Sequence, residues 1–226
     1  MKVAVLIPAF NEAASIADVV RGALAEVPRV LVVDDGSTDG TAAVAESAGA
    51  EVLRLPRNVG KGAAMRAGLL QLSAGDTTHV LFMDGDLQHR ADEIPRLLEA
   101  AARTGAALVI GERVFRREAM PPSRYWANVI GSWALSTFMG VRLADTQSGF
   151  RLVALDAIRD LPLTARGYEI ETELIVKLTR RGATVVGVPV SAVYNGARSK
   201  LRPVRDTTRN VVLAIVYRFA PEPRHR

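Results

Sequence analysis

Short apolar runs alternate along the first half of the chain with longer segments whose apolar positions recur every three or four residues. The runs at 3–7, 30–33, 51–55, 79–83 and 107–110 read as strands, and the segments 13–26, 38–48, 61–73 and 92–104 read as helices. Strand and helix in alternation predict βαβ units on a parallel sheet. Asp39 and Thr41 stand where the second helix would be capped, and Gly49, Gly75 and Gly105 stand where helices would stop.

Beyond Gly111 the rhythm changes. A Pro121-Pro122 break precedes a charge-free run of 17 residues between Arg124 and Arg142. The run is shorter than the roughly 20 mostly apolar residues of a membrane span. Trp126, Trp133, Phe138 and Met139 suit a helix that is buried or lies at an interface, with some affinity for lipid headgroups. A loop over 145–150, a helix over about 168–181, a strand over 184–190 and a helix over 204–219 complete the pattern. No repeat or low-complexity linker divides the chain, so a single α/β domain is expected over 1–226.

Composition narrows the chemistry. With 49% hydrophobic and 23% charged residues over 226 positions, the chain has ample length for a core. The absence of cysteine excludes disulfides, thiolate metal sites, iron–sulfur clusters and cysteine nucleophiles, and three scattered His argue against a His-based zinc site. The net charge of +5 conceals a split: 10 Lys+Arg against 15 Asp+Glu in residues 1–112, then 19 against 9 in residues 113–226. One half is suited to a cation, the other to phosphate, nucleic acid or an anionic lipid surface. The apolar stretch at 3–7 is too short for a signal peptide and runs into Pro8 and Asn11, so a cytoplasmic protein is expected.

In open parallel sheets, ligands bind beyond the carboxyl ends of the strands. There the sequence is unusually polar. Pro8-Ala9-Phe10-Asn11-Glu12 follows the first strand, Asp34-Asp35-Gly36-Ser37 the second, and Asp84-Gly85-Asp86-Leu87-Gln88-His89 the fourth. So many carboxylates on one rim call for a cation or a hydroxyl-rich ligand. Asp84 and Asp86, two apart across a glycine, can reach one hard cation such as Mg²⁺ or Mn²⁺, with Gln88 as a further oxygen. Asp35 can accept hydrogen bonds from a nucleotide base or ribose, while Ser37 and Thr38 suit a turn and cap. Asn58-Val59-Gly60-Lys61-Gly62 opens the third helix and could hold phosphate through its amides and Lys61. It lacks P-loop spacing, and no Gly-x-Gly-x-x-Gly follows the first strand, so NTP hydrolysis and nicotinamide binding lose ground.

The segments 8–12, 34–38, 58–62 and 84–89 are followed by Ser148-Gly149-Phe150-Arg151 and by Ser199-Lys200. In this order they resemble the family 2 glycosyltransferases of the GT-A fold, and most of all the dolichol-phosphate mannosyltransferase group, which glycosylates polyprenyl phosphates. The resemblance implies a Rossmann-like, mostly parallel sheet flanked by helices. It implies inverting transfer from a nucleotide sugar, with Mg²⁺ or Mn²⁺ at the Asp-x-Asp. Pro8, Phe10, Glu12 and Asp35 would line the nucleoside pocket. Asp84 would contact sugar or ribose and help hold the metal, with Asp86 and Gln88 as metal ligands. Arg113 and Arg124 resemble arginines that reach donor or acceptor phosphate, and Lys200 with Ser199 resembles a basic loop that closes on the pyrophosphate. Residues 1–112 would form the nucleotide-sugar and metal half, and 113–226 the acceptor half. Two departures stand out. Phe10 replaces a frequent Tyr, keeping the ring without its hydroxyl, and 194–198 does not align with the usual basic and glycine residues, so Arg198 has no matching family position.

The expected reaction is one in-line displacement at the anomeric carbon, with the metal and Lys200 neutralising the departing diphosphate. A phosphate-monoester acceptor, whose second pKa lies near ~6, is largely ionised at neutral pH and attacks without a protein base. Arg113, Arg124 and Arg198 would orient it, and a polyprenyl phosphate would bring the chain to the cytoplasmic membrane face as a peripheral protein or beside a membrane subunit. A sugar-hydroxyl acceptor needs a general base, for which Asp145 is the candidate and Glu171 the reserve. The alternatives are a GT-A enzyme with a soluble or saccharide acceptor, a nucleotidyltransferase, and a non-catalytic nucleotide-sugar sensor. Processive polysaccharide synthesis is opposed by the lack of Gln-x-x-Arg-Trp, and nucleic-acid binding by sparse aromatics and dispersed arginines.

Overall fold

The computed structural model describes residues 1–114, 122–191, 212–217 and 219. Strands β1 (Val3–Ala9), β2 (Val30–Asp34), β3 (Glu51–Arg54), β4 (His79–Phe82), β5 (Leu108–Arg113), β6 (Arg151–Ala154) and β7 (Val185–Val190) form one sheet in the order β3-β2-β1-β4-β6-β5-β7. The connecting helices are α1 (Ile16–Glu26), α2 (Thr41–Ser47), α3 (Lys61–Ser73), α4 (Ile94–Thr104), α5 (Pro122–Met139), α6 (Leu155–Ile158) and α7 (Ile170–Arg180). β1 pairs in parallel with β2 and β4, β2 with β3, and β5 with β7. β6 alone runs antiparallel, between β4 and β5.

Side chains alternate across the sheet with period two. Ala4, Leu6, Leu31 and Val33 join one core with Met65 and Leu72 of α3 and Leu174 of α7. Val5, Ile7, Val30 and Val32 join the other with Val19 and Val20 of α1 and Leu97 of α4. Both faces are covered, which is why β1 and β2 read in the sequence as unbroken apolar runs.

Element boundaries shift where loops use the residues first. α2 begins at Thr41, three residues later than expected, because Asp39 accepts the N–H and O–H of Thr41 while Gly36 and Gly40 take positive φ ahead of it. A Cβ on Gly36 would lie 2.5 Å from the Arg57 backbone, so that turn requires glycine. Gly105, at φ +62°, ends α4 in the left-handed conformation expected of a helix stop.

β6 is the strand that the apolar pattern does not predict, and the one-turn α6 that follows it is likewise unpredicted. β6 is only four residues long and starts on an arginine. Arg151 is nevertheless fully buried, because its guanidinium donates to the carbonyls of Thr146, Ser148 and Glu171, each at 2.6 Å. Pairing of Arg151 with Phe82 of β4 and Ile110 of β5 sets the preceding loop, 145–150, at the carboxyl rim of the parallel strands.

Candidate active site

The carboxyl ends of β1, β2, β4 and β5 open into one cleft of about 450 Å³, within the range of ligand pockets. Pro8, Phe10, Asn11 and Glu12 form one wall. Asn11 is held at φ +56°, its N–H donating to Ser37 Oγ and its Oδ1 accepting from the Thr38 N–H, while the Glu12 N–H donates to Thr41 Oγ1. Ser37 and Thr38 therefore bind the first loop to the second. Asp35 lines the cleft and accepts the N–H groups of Val59 and Gly60 at 2.8 and 2.9 Å. These use two of the roughly four acceptor positions of a carboxylate.

The 58–62 segment differs from the expectation of a phosphate cradle. The N–H groups of Gly62 and Ala63 donate to the Arg166 carbonyl at 2.8 and 3.3 Å, because the chain at 165–167 crosses over the start of α3. A Cβ on Gly60 would lie 2.4 Å from that carbonyl oxygen. Lys61 remains, and it sits between carboxylates, 2.6 Å from Asp84 Oδ1 and 2.7 Å from Glu171 Oε1, with the Tyr168 ring centroid 5.4 Å away. Burial would lower the Lys61 pKa, but Asp84 and Glu171 raise it above its usual value. Burial would likewise raise Asp84, yet Lys61 and His89 hold it well below the usual carboxylate range.

Asp84 has a second neighbour of consequence. A Cβ on Gly149 would lie 2.5 Å from Asp84 Oδ2, so the 145–150 loop approaches that carboxylate as closely as a glycine allows. Behind it, His89 stacks on Phe150 at 5.2 Å, with Nε2 3.5 Å from Asp84 Oδ2. Asp86 lies beyond Gly85 and accepts the Gln88 N–H at 3.1 Å across Leu87, which is held at φ +63°. A branched side chain rarely adopts that conformation, and the cost falls on the turn that aims Asp86 and Gln88 into the cleft. Burial and the charge of Asp84 push the Asp86 pKa up.

Asp145 takes a place different from that of a general base. It is 0% exposed and does not line the cleft. Its carboxylate accepts Arg113 Nε at 2.6 Å, Arg113 Nη2 at 3.2 Å and the Gln147 N–H at 3.1 Å. Burial would raise its pKa, but Arg113 and the N–H donors hold it below the usual value, which opposes proton uptake. Arg113, at the end of β5, does line the cleft. Glu171, the reserve base, lines the cleft and is engaged by Lys61. The backbone of Arg124 lies in the first turn of α5, while its side chain and all of Arg198, Ser199 and Lys200 lie outside the described residues.

Two contributors are not singled out in the sequence: Tyr168 and Gln147 line the cleft. Arg151, quoted there only as the end of the Ser148-Gly149-Phe150-Arg151 motif, braces the loop that carries Gly149. Arg151 alone had a signal: an arginine opening an apolar strand must find partners for its charge once buried.

Residues 4–152 match the family model described as glycosyl transferase family 2. The chain belongs to that family. It is 34% identical over 223 residues to glycosyltransferase AglJ of Haloferax volcanii, covering 96% of this chain and 72% of that one. It is 34% identical over 206 residues to an undecaprenyl-phosphate mannosyltransferase of Micrococcus luteus, covering 85% and 84%. Among solved structures it resembles glucosyl-3-phosphoglycerate synthase of Mycobacterium tuberculosis in complex with Mn²⁺, uridine-diphosphate-glucose and phosphoglyceric acid. That match has a TM-score of 0.71 at 26% identity and covers 96% of this chain and 79% of the other. The seven-stranded sheet is thus the GT-A sheet expected from the motifs, and the protein is a glycosyltransferase.

The GT-A fold implies a divalent cation, and the cleft fits one. Asp84 and Asp86 supply two hard oxygen donors, and the charge of Asp86 is one that its surroundings disfavour until a cation arrives. Among the described residues no group of three or more His, Asp or Glu is gathered as a metal cage. Two carboxylates with positions left for diphosphate oxygens is the pattern of nucleotide-bound Mg²⁺ or Mn²⁺.

Proposed function

We propose that this family 2 enzyme is an inverting, divalent-metal-dependent glycosyltransferase that moves a sugar from a nucleotide sugar to a polyprenyl phosphate. The observation that carries the reading is the pairing of Arg113 with buried Asp145, alongside that of Lys61 with Glu171. Both carboxylates that were candidates for a general base are committed to cations, which favours a nucleophile already ionised at neutral pH. A phosphate monoester is one. The name of the Micrococcus luteus relative points to the same acceptor class. The soluble-acceptor reading has in its favour the phosphoglyceric acid bound by the mycobacterial neighbour.

In this reading Pro8 and Phe10 offer an apolar wall to the base, and Glu12 and Asp35 accept hydrogen bonds from the nucleoside. Lys61, which lines the cleft, meets the donor diphosphate, and the resemblance assigns Ser199 and Lys200, outside the described residues, to the same group. Arg113, rigidly held by Asp145, and Arg124 orient the acceptor phosphate so that one of its oxygens meets the anomeric carbon opposite the leaving group. The new phosphate-oxygen bond to carbon forms as the bond to the diphosphate breaks, and the nucleoside diphosphate departs with the electron pair. A divalent metal held by Asp84, Asp86 and Gln88 would supply charge neutralisation to that leaving group.

The test compares polyprenyl phosphate with the corresponding polyprenol, using labelled nucleotide sugars, GDP-mannose among them, with Mn²⁺ or with EDTA. Label should enter the lipid phase only with the phosphate and only with metal. Transfer to the polyprenol, or undiminished transfer in EDTA, would overturn the proposal.

A further inference from the structure

Exposed apolar residues are concentrated away from the cleft. Eight of the fourteen large hydrophobic side chains exposed among the described residues lie on α5 and on the helical segment over 212–219. α5 carries large apolar side chains on its outer face, where a surface helix is ordinarily polar. Leu135 and Met139 are buried in the core beside Asn128, Ser132 and Ser136, while Trp126, Ile130, Trp133 and Phe138 are exposed, Trp133 at 68%. The inward polar face is used. Ser132 Oγ accepts the Thr146 N–H at 3.1 Å and Ser136 Oγ donates to the Leu143 carbonyl at 2.8 Å, fastening α5 to the loop that leads into the cleft.

The second segment extends the same surface. Ala214 is fully buried and Tyr217 packs on the core beside it, which anchors one side of the segment. Val212, Ile215, Val216 and Phe219 are exposed at spacings of three and four, so they form one stripe, with Phe219 at 74%. The Phe219 ring meets Phe138 of α5 edge-on at 6.2 Å, joining the two apolar stripes.

Charge identifies the occupant. No Asp or Glu occurs between Glu118 and Asp145 or between Asp206 and Glu222, whereas Arg124 and Arg142 flank the first apolar run and Arg209 and Arg218 the second. Aromatic and branched side chains bordered by arginines, without a single acid, complement an anionic bilayer. A second copy would bring its own arginines against these and be repelled. No described helix is long and apolar enough to cross a membrane, so the face would lie on the bilayer and not span it. We infer that α5 and the 212–219 segment form one docking face for an anionic membrane surface, seated behind the 143–150 loop of the cleft.

The protein holds only two tryptophans, Trp126 and Trp133, and both lie on this face, so their fluorescence reports its occupancy directly. The full chain is titrated with vesicles of phosphatidylcholine alone and of phosphatidylcholine with phosphatidylglycerol, free of polyprenyl phosphate and donor. The outcome is therefore independent of the acceptor reading. Emission should move to shorter wavelength with the anionic vesicles, and co-sedimentation should weaken as salt rises. Trp133→Glu should reduce vesicle partitioning by at least about tenfold. Arg142→Ala should reduce it by about fivefold. Leu70→Glu, an exposed position on α3, should leave it unchanged. Circular dichroism of each variant checks that the fold is retained. Absence of binding to anionic vesicles, binding with unmoved tryptophan emission, or an emission shift that follows dimerisation in lipid-free buffer would each overturn the inference.

Discussion

Asp145→Asn is the most informative single substitution in the site. The native carboxylate is fully buried and receives Arg113 through Nε and Nη2 and the N–H of Gln147. An asparagine keeps one oxygen, turns an NH₂ group toward donors and removes the counter-charge of Arg113. Breaking a buried ion pair from one side costs about 3–5 kcal/mol. Arg113 keeps some contact with the cleft, its side chain being 15% exposed, so the lower end of that range applies, about 3 kcal/mol. For a chain of this size that is a fall in Tm of roughly 6–12 °C at neutral pH. The Asp145 pKa is depressed in the folded protein, so its contribution is present above the unfolded value of about 3.9 and is lost as pH falls through the lower folded value. Differential scanning calorimetry of wild type and variant from pH 7 downward should therefore show a gap that is full at pH 7 and narrows below about pH 4. Adding Arg113→Met to the variant should restore much of the loss, since no unpaired cation then remains. A gap under about 1 kcal/mol at pH 7, or one that stays constant into acid, would refute the account of Asp145 as the anchor of Arg113.

Gly149→Ala should lower kcat/KM by about 10²-fold with a much smaller change in Tm, because the new Cβ displaces the Asp84 carboxylate rather than the core; steady-state kinetics beside thermal melts separate the two effects. Lys61→Met leaves Asp84 and Glu171 facing each other without their shared cation and should cost about 2–3 kcal/mol at neutral pH, less than a fully buried pair because Asp84 is 30% exposed. Lys61 holds the Asp84 pKa below its ordinary value, so the deficit should shrink as pH falls through the Asp84 range, which Tm against pH reads directly. Asp86→Asn should raise the Tm of the metal-free protein at neutral pH, since the folded state resists ionising this group, while abolishing the Mn²⁺-dependent shift seen with nucleoside diphosphate in a thermal-shift assay.

The parallel half of the fold was legible because β1, β2 and β4 are covered on both faces and so carry uninterrupted apolar residues that stand out against amphipathic helices. The residues of the candidate cleft could be picked out for a related reason: Glu12, Asp35, Asp84 and Asp86 follow such strands where the apolar pattern stops, and all four line the cleft. The burial of Arg151 and the strand it opens, β6, were hidden because a guanidinium satisfied by three carbonyls looks, in sequence, like the end of a loop. The partnership of Arg113 with Asp145 spans 32 positions and is invisible to any local pattern. The same holds for the Arg166 carbonyl that takes the amides at the start of α3, a contact across the fold that replaces a ligand the local motif suggests. The apolar run of α5 was plain in the sequence, but the burial of Ser132 and Ser136 beside Leu135 and Met139, which leaves both tryptophans outside, depends on partners at 143–146.

The identity of the acceptor decides the function. The most direct measurement is a single reaction containing labelled nucleotide sugar, Mn²⁺, polyprenyl phosphate and 3-phosphoglycerate in competition, with label partitioned between organic and aqueous products. Label should enter the lipid phase as a sugar of inverted anomeric configuration linked to phosphate. Label accumulating on 3-phosphoglycerate, or a lipid product with retained configuration, would contradict the proposed function.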